Sequence, residues 1–334
     1  MKRQNRIVFI SATLMLVLVL DCRTVVQGAR EGIQLCLQSV IPALFPFFVI
    51  SSFLTSYLLG LSVPGLHWVG RLCHIPPGAE SLFLLGILGG YPVGAKCVTQ
   101  CCQSGLISRS DARRLLGFCS NCGPSFIFGI CSTLFTRPVV PLLLWLIQLL
   151  SAMIVGVILP ASHHFEKTNI RNTTMTVTGA IKGSVKSMSE VCGWVIVFRV
   201  IISLLRKWLF WLLPEYLCVG ISGLLELTNG CMLLTEIASE SLRFVTCCIL
   251  LSFGGLCVVM QTASVSGECG LGYYLPGKIL QSLFSSILAM IAASVIFKEA
   301  APYLPWIGAA IVTVLIIFSH RIIKKDSIRQ KSVV

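Results

Sequence analysis

Long apolar runs dominate the chain, and short polar, glycine-rich or proline-containing strings interrupt them. Ile7 to Leu20 is the first run, Ile41 to Leu61 the next, and Val139 to Leu159 is an uninterrupted stretch of spanning length. A membrane-crossing helix needs roughly 20 mostly apolar residues. Between these runs the pattern changes. Ser81 to Leu88 is apolar, Gly89-Gly90-Tyr91-Pro92-Val93-Gly94 breaks it, and Ala95 to Gln103 resumes a helix, so neither piece spans alone. Backbone that is not helical at membrane depth is tolerated only where protein or a water-filled cavity covers it, which makes this a broken or re-entrant helix. Ser108 to Leu116 reads as a short interfacial helix with Ser108 and Asp111 in capping-box spacing and Arg109, Arg113 and Arg114 on its polar side. Cys119-Ser120-Asn121-Cys122-Gly123-Pro124 then interrupts Leu115 to Leu134.

After the polar stretch from Pro160 to Thr178 the plan returns. Gly179 to Glu190 is an amphipathic lead-in, as Ala29 to Val40 is earlier, and it runs into Val191 to Leu205. Val219 to Leu225 and Cys231 to Ile237 flank a break at Glu226-Leu227-Thr228-Asn229-Gly230, and Val245 to Gln261 carries Ser252, Gly254 and Gly255 at its middle. Gly272 to Phe297 and Tyr303 to Phe318 are the closing spans. The expected fold is therefore all-α, a polytopic helical membrane protein of roughly eight crossings. Its two pseudo-repeated halves contain broken or re-entrant helices, and the repeat is one of pattern, parallel or inverted. The expected divisions are an anchor (1–28), a first half (29–160), a linker (161–178), a second half (179–300) and a last span with a basic tail (301–334).

Composition agrees, with 55% hydrophobic and 12% charged residues against roughly a quarter charged in soluble domains. The net charge of +13 suggests nucleic acid, but the basic residues gather at the ends and in short loops, the positive-inside pattern. Lys2, Arg3 and Arg6 precede the first run, and Arg321, Lys324, Lys325, Arg329 and Lys331 follow the last, so both termini are expected in the cytoplasm. The partners expected are the bilayer and a small solute, with no nucleic acid. The first run matches a signal-peptide core in length but lacks a convincing A-x-A site, and it reads better as an uncleaved anchor. Most of the 16 cysteines sit in apolar segments, where small apolar packing is the expected role, and Cys119-x-x-Cys122 has no second ligand pair at zinc-finger spacing. Solvated side chains are the reading for the histidines, including His163 and His164 of the linker.

Three strings, GGYPVGAK (89–96), NCGP (121–124) and LELTNG (225–230), together with LFPFFVI (44–50), GLIS (105–108) and FGGL (253–256), resemble the sporulation integral membrane protein YlbJ family, also called SpoVV. The resemblance runs from about Ala29 to Phe297. Cys122 stands where relatives carry a small, often hydroxyl-bearing residue, while Asn121, Gly123 and Pro124 fit. The resemblance implies a nucleoside-recognition (Gate) type of domain, similar in plan to concentrative nucleoside transporters. It further implies a role in endospore formation at the outer forespore membrane, moving dipicolinic acid from the mother cell into the space around the forespore.

Broken helices leave amide and carbonyl groups without intrahelical partners, and these ends bind anions and cations respectively. Paired interruptions point to the binding site of a secondary transporter, so the two strings 89–94 and 226–230 are expected to approach each other. The candidate substrate-binding residues are Gly89, Gly90, Tyr91, Gly94, Lys96, Asn121, Gly123, Glu226, Thr228, Asn229 and Gly230. The other reading of the glycines is close helix packing. Lys96, Arg199 and Glu226 stand out as ionisable residues in apolar surroundings. Glu226 ranks first because it sits on a break; Lys96 can attract an anion or snorkel, and Arg199 can pair with a structural carboxylate. No G-x-S-x-G, H-E-x-x-H or Walker loop is present, so no enzyme is expected. No cofactor or metal is called for, and a coupling ion, Na⁺ or H⁺, stays open. The expected function is secondary transport of a small organic anion, with a nucleoside or related solute carrier, or a non-transporting spore-envelope assembly factor, as alternatives.

Overall fold

The computed structural model describes residues 2–58, 65–160 and 176–297. The last expected span, Tyr303 to Phe318, the basic tail and most of the linker lie outside these residues. Within them the regular structure is helical throughout. Helix α1 (Lys2–Leu20) is followed by α2 (Cys22–Leu35), which passes through a π-helical turn (Cys36–Val40) into α3 (Ile41–Leu58). Pro46 lies inside α3, where its ring denies one backbone hydrogen bond. A short helix, α4 (His67–Leu72), comes next among the described residues.

The first interrupted pair is α5 (Ser81–Gly89) and α6 (Val93–Gln103). Helix α7 (Arg109–Leu115) has Ser108 as its N-cap, whose Oγ accepts from the Asp111 amide and donates to Asp111 Oδ2. The reading of α7 as interfacial with three outward arginines needs one correction. Arg109 and Arg113 are exposed, but Arg114 is buried and donates to the carbonyls of Cys73, His74, Gly156 and Leu159. It closes the C-terminal end of α9, where carbonyls without helical partners favour a cation.

Helices α8 (Pro124–Gly129) and α9 (Val140–Ile158) complete the first part. The lead-in and span expected as separate pieces in the second part are one helix, α10 (Val177–Trp208). Then come α11 (Glu215–Leu225), α12 (Leu227–Leu233), α13 (Glu240–Phe253), α14 (Gly255–Ser266) and α15 (Tyr274–Ile296). The break expected over 226–230 shrinks to Glu226 alone, because Leu227 to Gly230 form the first turn of α12. Five helices among the described residues are long and apolar enough to cross a membrane; of the roughly eight crossings expected, the last lies outside these residues, and several apolar pieces are halves of interrupted helices.

The molecule is apolar on its outer faces, and its apolar core encloses a set of buried polar side chains. Leu142, Leu146, Leu150 and Val157 of α9 face outward, while Gln148 and Ser151 of the same helix are buried. That inversion suits a lipid solvent, in which polar groups must find partners inside the protein. Helix α10 packs along α2 and α3, and α13 and α9 both pack on α15. Two ion pairs clasp α10 to the start of the chain: Lys207 with Asp21 at 2.7 Å and Arg199 with Glu31 at 2.7 Å. Arg199 thus has the structural carboxylate expected for it.

Candidate functional site

Four interruptions of helical backbone meet in the core. Gly90 has φ +73° and lies against Gly123, with a hypothetical Cβ on Gly90 only 2.9 Å from the Gly123 nitrogen. A side chain at Gly90 is excluded both by that contact and by its backbone conformation. Tyr91 reaches from the first break to the fourth, where its hydroxyl donates to the carbonyls of Leu251 (3.2 Å) and Ser252 (3.4 Å) beside Gly254. Gly254 ends α13 in the left-handed conformation and Gly255 starts α14, close enough that a Cβ there would stand 3.3 Å from the Leu227 nitrogen. So the breaks at 90–92, 119–123, 226 and 254 form one connected patch.

Around this patch lies a small cavity, about 40 Å³, lined in part by Tyr91, Cys122, Gly123, Glu226, Thr228 and Gln261. Of the sequence-derived candidates, Tyr91, Gly123, Glu226 and Thr228 stand on its wall. Gly90 touches that wall through Gly123. Asn121 and Asn229 are buried and reach the patch through hydrogen bonds rather than by lining the cavity. Gly94 and Gly230 act in close packing, since a Cβ would lie 2.2 Å from the Cys119 carbonyl oxygen and 2.1 Å from the Gly223 Cα respectively. Gly89 packs against the Val93 side chain of the next helix. Lys96 points away from the cavity and donates to Ser187 Oγ on α10 at 3.1 Å.

Glu226 both caps a helix and faces the cavity. Its Oε1 accepts from the Thr228 amide at 3.0 Å, and its Oε2 accepts from the Asn229 amide and the Asn229 Nδ2, both at 2.7 Å. A carboxylate at a helix N-terminus satisfies amides that have no intrahelical acceptor. The amide of Asn229 is oriented by its other neighbour: Arg199 Nη1 donates to Asn229 Oδ1 at 2.7 Å, which leaves Nδ2 to face the acid. A guanidinium only donates, so this orientation is chemically required. Glu31, Arg199, Asn229 and Glu226 form one polar chain from a half-exposed pair to the cavity wall.

Lys278 of α15 escapes the sequence reading. It is fully buried, and its ammonium donates to the Ser120 carbonyl, to Gln281 Oε1 at 2.6 Å and to Asn121 Oδ1 at 3.3 Å. The Tyr91 ring lies 5.2 Å from its nitrogen and the Tyr274 ring 5.9 Å, within cation–π range. These partners are all neutral, and among the described residues no carboxylate pairs with it. Gln281 Nε2 also donates to Asn121 Oδ1 (2.8 Å) and to the Gln148 carbonyl (3.2 Å), which fixes the lysine and the second break together. Tyr91 is thus the partition between the cavity and Lys278. The signal was present in the sequence, since Lys278 and Gln281 are polar residues three apart inside the apolar stretch from Gly272 to Phe297.

Chemically, the patch offers one acid on the cavity wall, one cation a side chain behind it, and freed backbone groups between them. The cavity as it stands fits a few waters or a bare cation, because small-molecule pockets run to roughly 300–1,000 Å³.

No protein-family profile matches the chain, and no solved structure matches it. The sporulation integral membrane protein YlbJ of Bacillus subtilis (strain 168) is 23% identical to it over 312 residues, covering 79% of this chain and 76% of that protein. That likeness, added to an all-helical architecture with an apolar exterior, supports the resemblance to the YlbJ family and an integral membrane protein.

Proposed function

We propose that this protein is a secondary transporter of a small organic anion, with dipicolinic acid the substrate that the family resemblance suggests and a Gate-type plan behind it. The observation that carries the reading is Lys278, a buried lysine whose partners are all neutral, beside the 119–123 break and the ring of Tyr91. A fixed positive charge without a protein counter-charge is costly in an apolar core, and an arriving carboxylate supplies what is missing. An uncharged nucleoside would gain nothing from it. Glu226, which lines the cavity itself, is the group we assign to the coupling cation, which a carboxylate and freed carbonyls favour.

Because the cavity is small, substrate entry requires the wall to open, and Tyr91 is the side chain that stands between the cavity and the lysine. The test is flux into proteoliposomes containing the purified protein, with labelled dipicolinate in one arm and labelled uridine in the other. Dipicolinate uptake that saturates and exceeds that of empty liposomes is expected. Uptake of uridine alone would move the assignment to a solute carrier of the nucleoside type, and flux of neither would favour the assembly factor.

A further inference from the structure

Three cysteines from distant parts of the chain, none of them lining the cavity, converge: Cys131 in the turn after α8, Cys231 in α12 and Cys247 in α13. Their sulfurs all lie within 4.8 Å of one another, and each residue is fully buried. The C-x-x-C pair visible in the sequence, Cys119 and Cys122, takes no part. Packing alone asks each position for a small apolar side chain, but it does not ask three separate segments to direct thiols at one point. We propose that Cys131, Cys231 and Cys247 form a binding site for one thiophilic d¹⁰ cation, Zn²⁺ or Cu⁺.

Geometry and charge both fit. Metal–sulfur bonds of about 2.3 Å place the sulfurs of one coordination shell close to 4 Å apart, so small side-chain rotations bring these three into bonding range. Thiolates are the ligands that select Cu⁺ and Zn²⁺. Binding releases protons, as two or three of the thiols ionise when they take the metal. Arg243 stands one turn before Cys247 on α13, and its guanidinium donates to the carbonyls of Leu134 (2.8 Å) and Ile237 (2.8 Å), with no carboxylate pairing it among the described residues. Zn²⁺ with three thiolates carries one net negative charge, which this guanidinium offsets; Cu⁺ with two thiolates and a third, neutral thiol gives the same balance.

The bound ion would join the 3₁₀ turn after α8 to α12 and α13. Since α8 begins at the Gly123 break and α12 at Glu226, it would hold two of the interrupted helices at a fixed separation.

The experiment is metal retention by the full-length protein in detergent, reduced and then equilibrated with Zn²⁺ alone or Cu⁺ alone before desalting. About one equivalent of at least one ion per chain is expected, falling to background in Cys131→Ser, Cys231→Ser and Cys247→Ser but retained in Cys119→Ser. The two ions are distinguished by which arm retains metal. X-ray absorption at the metal edge of the loaded wild-type protein does not depend on any variant folding, and it should show two to three sulfur neighbours at about 2.3 Å. Retention of neither ion, a shell of nitrogen and oxygen only, or undiminished retention in all three serine variants overturns the site.

Discussion

Glu226 holds the first turn of α12 with both oxygens and also borders the cavity, so a substitution there reports on two roles at once. Glu226→Gln keeps the size but turns one acceptor into a donor facing amide N–H groups. Losing a cap of this kind costs about 1–2 kcal/mol. Thermal unfolding should register that loss, while dipicolinate uptake per inserted molecule should fall about tenfold or more if the acid meets the coupling cation. Uptake unchanged per molecule would leave the residue with its capping role alone. Lys278→Met tests the other charge, and it leaves three acceptors without their donor at about 1–3 kcal/mol for a buried unsatisfied group. Flux normalised to protein amount should drop to the level of empty liposomes; retained flux would remove Lys278 from the substrate path. Glu226 is legible in the sequence because it interrupts an apolar run at a break. Lys278 is harder to read, because its partners Ser120, Asn121 and Gln281 come from segments 158, 157 and 3 residues away. Only tertiary packing brings the first two to it.

The helix interruptions are the elements the sequence states most openly, since Gly89-Gly90-Tyr91-Pro92 and Gly254-Gly255 cannot continue a helix without penalty. Their extent is less legible. Leu227-Thr228-Asn229-Gly230 looks like loop chemistry, yet a carboxylate cap lets those four residues begin α12. The packing of one break against another is invisible in a string. Gly94→Ala should therefore be costly, because its Cβ would meet backbone at 2.2 Å, and overpacking of this kind costs about 1–3 kcal/mol. Gly193→Ala on α10, where nothing lies within 4 Å, should be neutral or stabilising by roughly 0.5–1 kcal/mol. Comparing the two melting temperatures in the same detergent checks the contrast, and equal shifts would contradict the close crossing of α6 with the 119–123 break.

At the scale of the whole molecule, apolar flanks around a core that holds polar groups define a body whose solvent is lipid, and the basic ends suggest that both termini face the cytoplasm. Reporter fusions at each end should both give the cytoplasmic signal, and an external signal from either would overturn that topology. The clasp between α2 and α10 is where this larger arrangement touches the site. Glu31 fixes Arg199, Arg199 fixes which way the Asn229 amide is turned, and that amide hands a proton-bearing nitrogen to Glu226. An event at the rim that frees Arg199, such as sliding of α2 along α10, would take the guanidinium from the far side of that amide and leave it held by Glu226 alone. The acid's side-chain donor would then be less firmly placed. A displacement between two helices at the rim would in this way reach the cavity wall through a single side-chain amide.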